Sequence, residues 1–527
     1  MAQLATQEVT QHHAAVLAEN DILRKQAVEF QEQVSQLKHQ LNWFKRQLFG
    51  SKSEKRIDID TSHQANLLAG LGVEPPPTDK VATERISYER RKKQRDANTV
   101  SNTGLRFDDS VPVETIDVPN PELADIPADD LEQIGEKVTY RLAQRPGSYV
   151  ILKYVRKVLK CRETQTLHAA LMPANVLEKS IADVSFLTGM LVDKFLYHLP
   201  LYRQHQRLQH SGITLSRATL TNLVRRAINL LSPIVDAQLA NILLSKILAM
   251  DETPIKAGRQ QKGKMRQGYL WPLHGDQDEI VFSYTPTRNH GHVKAIIGDD
   301  YSGTLLTDGY EAYARYADTR DEVTHAQCWS HTRRYFDRAK EAEPESVEAA
   351  LALIGLLYQH EKEIRKKSLA GKEKLAYRTK HSEPVIRSFW QWCDQQCHRT
   401  DLLPSNLLSK ALKYAMNRQA SLQVFLSDPN VPLDTNHIER ALRPIPMGRR
   451  NWLFCWTEIG AEQVGIIQSL LVTCKLQGVD PYTYLVDVLQ RISLHPASKV
   501  IELTPRVWKE KFAGNPLRSD ISGLLCQ

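Results

Sequence analysis

The chain lacks the marks of a secreted or membrane-spanning protein. Met1 to Thr10 holds no basic segment followed by an apolar run, and the longest apolar stretch, Ile228 to Met250, is interrupted by Asp236, Asn241 and Lys246. Neither a leader nor a membrane span is therefore expected. Cysteine is scarce as well: seven in 527 residues, odd in number and without a short repeating spacing. That excludes a disulfide scaffold and suits a reducing, cytoplasmic compartment. Charge of one sign is only mildly in excess, +8 with a pI near 8.9, so a polyanionic partner is favoured only where the cations gather. A chain of this length exceeds one ordinary core, and several domains of roughly 100–150 residues each are expected.

Residues 1–56 carry a regular seam. Val16, Asn20, Leu23, Ala27, Phe30, Val34, Leu37, Leu41, Phe44 and Leu48 alternate steps of four and three, which predicts a coiled-coil arm that self-associates, with Asn20 setting register. A helix packing its stripe on its own protein would share the pattern. Residues 57–109 lose periodicity, break at Pro75-Pro76-Pro77 and concentrate charge at Arg90-Arg91-Lys92-Lys93-Gln94-Arg95, reading as a flexible basic linker. Residues 110–175 contain alternating stretches such as Tyr149 to Val155 and suggest a small β unit. Residues 176–240 read as helix-turn-helix-like, with Leu201 to His210 and Ser216 to Ala227 flanking Ser211-Gly212-Ile213-Thr214. Arg203, Arg207, Arg217, Arg225 and Arg226 there are types that meet phosphates or base edges, although any helical hairpin offers the same pattern.

Three carboxylates stand out. Asp251 closes the apolar run Ile242 to Met250, Asp308 closes Gly303 to Thr307, and Glu439 rides on a segment that looks helical up to Pro444. Acids at neighbouring strand ends converge in a sheet although they are distant in sequence. Such oxygens suit Mg²⁺, and two ions about 3.5–4 Å apart clamp the attacking and leaving oxygens of a phosphodiester. Glu252 and the Asp299-Asp300 pair are weaker competitors: alternation along a strand predicts that Glu252 points away from Asp251. The stretches Gly268 to His274 and Glu279 to Tyr284 read as a hairpin turned on Gly275 to Asp278, and the strand of Asp251 is expected beside it.

Several of these segments are similar to the IS66 family of DDE insertion-sequence transposases: Met250-Asp251-Glu252-Thr253-Pro254, Thr307-Asp308-Gly309-Tyr310, Cys328-Trp329-Ser330-His331-Thr332-Arg333-Arg334-Tyr335-Phe336, Glu439-Arg440-Ala441-Leu442-Arg443-Pro444 and Gly448-Arg449-Arg450-Asn451-Trp452-Leu453-Phe454. The resemblance implies a multidomain α/β protein. Its ribonuclease H-like catalytic core would carry a helical insertion and follow a coiled coil and a helix-turn-helix-like domain. It also implies Asp251, Asp308 and Glu439 as catalytic and metal-binding acids for two Mg²⁺ or Mn²⁺ ions, DNA at the element ends and target as substrate, and small accessory proteins of the same element. A nucleoid-associated bacterial location follows. By the same resemblance His331, Arg333 and Arg334 would lie beside the scissile DNA. Relatives commonly carry paired cysteines around the small β unit, whereas here only Cys161 stands nearby, too few for a tetrahedral shell; no zinc is expected.

Arg440, Arg443, Arg449 and Arg450 form a basic cluster around Trp452, suited to phosphates and stacked bases or to covering a core with apolar stems. His325, Cys328 and His331, like Cys393, Cys397 and His398, lack the paired spacing of a structural zinc site. The core is expected at 241–340 and 432–460, split by a helical insertion at 341–431 that either braces the site or holds DNA, with a helical region at 461–527. The reading is thus a transposase that cleaves and joins DNA strands. The alternatives are a catalytically silent DNA-binding or assembly protein and a metal-dependent nuclease that does not join.

Overall fold

A computed structural model of the chain describes residues 105–523 apart from 121–126, 128–130, 146, 162–165, 262, 453–454 and 456. The expected coiled coil and nearly all of the expected linker lie outside the described residues.

The small β unit opens this region. Strands β1 (Arg106–Phe107), β2 (Val113–Asp117), β3 (Leu131–Arg145), β4 (Ser148–Cys161) and β5 (Leu167–Ala169) come first. The last four make one sheet in which β4 lies between β2 and β3 and also pairs with β5. Its long hairpin arises from the alternation at Val150, Leu152 and Tyr154, which are buried, and their opposite-facing neighbours. Cys161 is buried at its end.

Helices α1 (Val184–Phe195) and α2 (Leu201–His210) follow, then β6 (Ile213–Thr214) and α3 (Arg217–Ile242). The second helix was expected to stop at Ala227, and it runs on to Ile242 through Pro233. The reason is packing: Leu220, Val224, Ala227, Leu231, Ile234, Val235 and Ile242 are buried at helical spacing, and that continuous stripe outweighs the lost hydrogen bond of one proline. The expected turn between the helices contains β6, which pairs with β1. Arg207 on α2 donates to Tyr149 at 2.7 Å and pairs with Asp193, tying the helices to the small sheet.

The central sheet comprises β7 (Ile247–Met250), β8 (Thr253–Gln261), β9 (Lys264–His274), β10 (Ile280–Thr285), β11 (Gly303–Thr307) and β12 (Val323–Gln327), with α4 (Gly291–Ile297) and α5 (Glu311–Asp318) between the later strands. The order across the sheet is β10, β9, β7, β11, β12, with β8 added on β9. Strands β7, β11 and β12 are parallel; β9 and β10 form the expected antiparallel hairpin beside β7. All four residues of β7 are buried, as covered parallel strands require. Strand β8 was not anticipated, because its Lys256, Arg259 and Gln261 read as a polar stretch.

Helices α6 (Trp329–Arg338), α7 (Pro344–Lys366), α8 (Gly371–Tyr377), α9 (Glu383–Cys397), α10 (Leu407–Met416) and α11 (Gln419–Gln423) succeed β12. Then come α12 (Asn436–Leu442), α13 (Pro444–Trp452), α14 (Glu458–Leu476), α15 (Pro481–Arg491), α16 (Pro505–Lys511) and α17 (Asp520–Gly523). Helix α14 seals the outer strand β10. Phe282 N–H donates to Ser469 Oγ at 2.9 Å, Ile280 N–H donates to Thr473 Oγ1 at 3.2 Å, and Gln238 Nε2 donates to the Ile280 carbonyl at 2.7 Å. Side chains thus satisfy an edge that would otherwise template further pairing. Gly465 makes this possible, since a Cβ there would fall 2.4 Å from the Phe282 carbonyl oxygen. No helix of the described residues is long and apolar enough to cross a membrane.

Candidate active site

Strands β7 and β11 pair in parallel with Ala249 opposite Leu306, so the residues just past their carboxyl ends, Asp251 and Asp308, emerge side by side. Glu252 joins them: one carboxylate oxygen from each of the three lies within 4.8 Å of the others. This corrects the expectation that Glu252 faces away. Strand β7 ends at Met250 and β8 begins at Thr253, so Asp251 and Glu252 belong to neither and strand alternation does not govern them. The Glu252 N–H donates to Asp251 Oδ1 at 2.7 Å, which turns the chain back on itself. Asp308 Oδ1 accepts from the Tyr310 N–H at 2.9 Å.

Glu252 has two partners of its own. The Tyr313 hydroxyl donates to Oε2 at 2.5 Å, and Arg288 pairs with Oε1. Arg288 in turn stacks over the Tyr310 ring at 3.9 Å from its centroid. Burial, then the neighbouring Asp308 and Glu252 charges, push the Asp251 carboxyl up to about 8. Burial also raises Glu252, with Asp308 adding to it while Tyr313 and Arg288 oppose it. Crowded carboxylates of this kind favour a cation among them, and an all-oxygen donor set is the chemistry that hard divalent ions select. The residues therefore fit such an ion.

Glu439 approaches from α12. Thr435 donates to Cys328 Sγ through both its N–H and its hydroxyl at 3.2 Å, and the Trp329 N–H donates to the Leu433 carbonyl at 3.1 Å. These contacts staple the start of α12 to the start of α6. Cys328 thereby acts as a buried acceptor. Facing the joint, Arg334 Nη2 donates to both Glu439 oxygens at 2.6 and 2.5 Å, and His331 Nε2 lies 3.6 Å from the same carboxylate. Burial lowers the His331 pKa. Glu439 is close enough for its charge to raise Asp251 further, yet its oxygens stand outside the three-carboxylate group. His325 sits apart, bonded to Thr307 Oγ1 at 2.9 Å.

The other cations divide into engaged and available. Arg225 donates to Asn222 at 2.9 Å, Arg226 donates to the Glu178 carbonyl at 3.3 Å, and both are half-buried. Arg449 donates to the Pro254 carbonyl on β8, joining α13 to the strand that follows the acids. Arg217, Arg333, Arg440, Arg443 and Arg450 are exposed. Arg217 lies over the Tyr202 ring, 5.8 Å from its centroid. Sequence reasoning ranked Glu252 low and missed Arg288 and Tyr313.

A family model described as "Transposase IS66 family" matches residues 179–463, one described as "IS66 C-terminal element" matches 469–506, and one described as "Transposase C of IS166 homeodomain" matches 36–116. Two proteins of Sinorhizobium fredii, called uncharacterized protein y4hP and uncharacterized protein y4jD, are similar to the chain. The first is 30% identical over 408 residues, covering 73% of this chain and 72% of the relative. The second is 27% identical over 499 residues, covering 91% and 96%.

Proposed function

Because the chain belongs to the IS66 family of transposases, we propose that it cleaves and joins DNA strands at the ends of an insertion sequence through Asp251, Asp308 and Glu439. The observation that carries this reading is the meeting of Asp251 and Asp308 at the ends of adjacent parallel strands, inside a group of three carboxylates. In the proposed arrangement, residues 241–340 and 432–460 form a ribonuclease H-like core, and the order β10, β9, β7, β11, β12 supports it. The insertion at 341–431 lies between the second and third acids.

Asp251 and Asp308 would hold Mg²⁺ or Mn²⁺, with Glu439 completing the set. Such ions, when bound, activate a water or a DNA 3′-hydroxyl and stabilise the leaving oxygen of a phosphodiester. Glu252 is fixed by Tyr313 and Arg288 and would set the charge behind the pair. Arg334 uses one nitrogen, Nη2, on Glu439 and sets Nη1 3.3 Å from His331 Nε2, so its Nε and the rest of its Nη1 would meet a DNA phosphate, a geometry for which guanidinium is suited. Arg333 and His331 flank it on the same helix. Arg217, Arg225, Arg226, Arg440, Arg443, Arg449 and Arg450 are proposed as further DNA contacts, with Arg225, Arg226 and Arg449 exchanging their present partners to do so. The amino-terminal heptads would pair protomers.

The test is strand cleavage and joining on labelled DNA carrying the element's ends, with Mg²⁺, Mn²⁺ or EDTA, comparing wild type with Asp308→Asn. Metal-dependent nicking followed by joining, both lost in Asp308→Asn, is expected. Nicking without joining would turn the reading to a nuclease, and binding without nicking to a silent assembly protein.

A further inference from the structure

A cleft of about 710 Å³ lies beside the site, between α7, α8, the segment at residues 430–434 and the first turns of α12. Three of its lining residues are cations from three separate elements: Arg365 near the end of α7, Lys374 on α8 and Arg440 on α12. Among the described residues none of the three side chains has a hydrogen bond or an ion pair. Arg365 and Arg440 are exposed, and Lys374 is half-buried.

The acids of the cleft, by contrast, are already engaged. Both Glu361 oxygens accept from Arg378, at 2.8 and 3.1 Å, and Asp434 accepts from the Asn436 backbone at 3.0 Å and side chain at 2.6 Å. The cleft therefore presents three unpaired cations against one acid neutralised by Arg378 and one, Asp434, held by Asn436. Burial, then the nearby Arg378, lowers the Lys374 pKa, and a bound anion would relieve that cost. The volume far exceeds the roughly 30 Å³ of one water and falls in the ordinary range for ligand clefts, so it has room for a short stretch of polymer.

Its position says which polymer. Arg440 directly follows Glu439 on α12, and Leu433, which lines the cleft, is bonded through its carbonyl to the first residue of α6, the helix that carries His331 and Arg334. The cleft and the acid site thus share α12 and are joined to one helix.

We propose that this cleft binds the sugar-phosphate backbone of the DNA substrate beyond the reacting phosphate, with Arg365, Lys374 and Arg440 as its phosphate contacts. The inference rests on the reading of DNA as substrate. It gives the helical insertion the role of a DNA clamp: α7 and α8 grip the strand that α12 presents to the acids. Binding by these residues is electrostatic and indifferent to sequence, as backbone contacts are.

Fluorescence anisotropy with a labelled random-sequence duplex, measured over a range of salt, tests this on the full chain. Each lost phosphate contact lowers the slope of log affinity against log salt by about 0.9. Arg365→Gln/Lys374→Gln should therefore flatten the slope by about 2, whereas Lys362→Gln/Lys366→Gln removes the same charge from exposed positions of α7 outside the cleft and should leave it unchanged. Arg365→Gln alone should flatten it by about 1 and guards against a folding defect at Lys374. Equal slopes in wild type and the cleft variants would overturn the inference alone, as would equal flattening in both doubles. Absence of DNA binding by the wild-type protein would sink the reading of the chain as a transposase, and the cleft proposal with it.

Discussion

Arg378 and Arg334 each grip both oxygens of a glutamate, and their surroundings make them opposites. Arg378 is 0% exposed and its Glu361 partner 9%, and its other donors reach the carbonyls of Phe425, Asp428 and Val431 at 2.6, 3.0 and 3.1 Å. Arg334 is 46% exposed, its Glu439 partner 28%, and it bonds no carbonyl. The first pair is closed: every direction of the guanidinium is used, and it nails α7 to the segment that leads toward α12. The second is open: besides Glu439 it meets only His331 Nε2, at 3.3 Å, and the rest of its guanidinium stands half-exposed beside three crowded acids. A satisfied buried pair holds structure, whereas an unsatisfied half-exposed pair leaves both partners able to take new ones.

The comparison breaks first at Glu439. If the open pair is functional, Glu439→Gln will lower strand cleavage on the order of a thousandfold or more, as for residues that act as a unit, with little change in melting temperature. A variant that cleaves normally would remove Glu439 from the proposed site. Arg378→Ala should do the reverse. It leaves Glu361 buried and unpaired, and a loss of about 3–5 kcal/mol in denaturant unfolding is expected; a loss under about 1 kcal/mol would mean the closed pair is not structural.

The acids themselves supply a pH test. Asp251 is pushed up to about 8 in the folded protein, chiefly by burial, against an ordinary value near 3.9 in the unfolded chain. Between those values the folded state binds more protons than the unfolded one, so stability in EDTA should fall as pH rises from about 4 to about 8. Asp251→Asn should flatten that decline, and added Mn²⁺ should oppose it. The smallest effect belongs to Arg334→Gln, whose stability cost should stay under about 1 kcal/mol because the pair is half-exposed. Its DNA cleavage should fall while its unfolding curve overlays the wild type.

Much of the central sheet was legible because its signals are local. The apolar runs ending at Asp251 and Asp308 read as strands, the Gly275 to Asp278 segment read as a turn, and Asn436 to Leu442 read as a helix ending ahead of Pro444. The length of α3 was not legible, since a proline at 233 argues for a stop until the buried stripe beyond it is seen to have a sheet to pack on. Strand β8 escaped notice because its alternation is short, with Thr253, Ile255 and Ala257 buried ahead of a polar end, and because Pro254 argues against a strand. Glu252 was set aside by an alternation rule that applies only within a strand, and the break at Met250 removes it from one.

By itself the sequence determined β7, the β9–β10 hairpin, β11 and α12 and which acids stand beside them, because periodicity, turn chemistry and helix breaks act between near neighbours on the chain. Only the tertiary structure decided that Glu252 joins Asp251 and Asp308, that Arg334 takes Glu439 while Arg378 takes Glu361, and that Arg365, Lys374 and Arg440 share one cleft. Those are meetings of charges from distant segments. Which cation reaches which carboxylate depends on the register of the sheet and the docking of helices upon it.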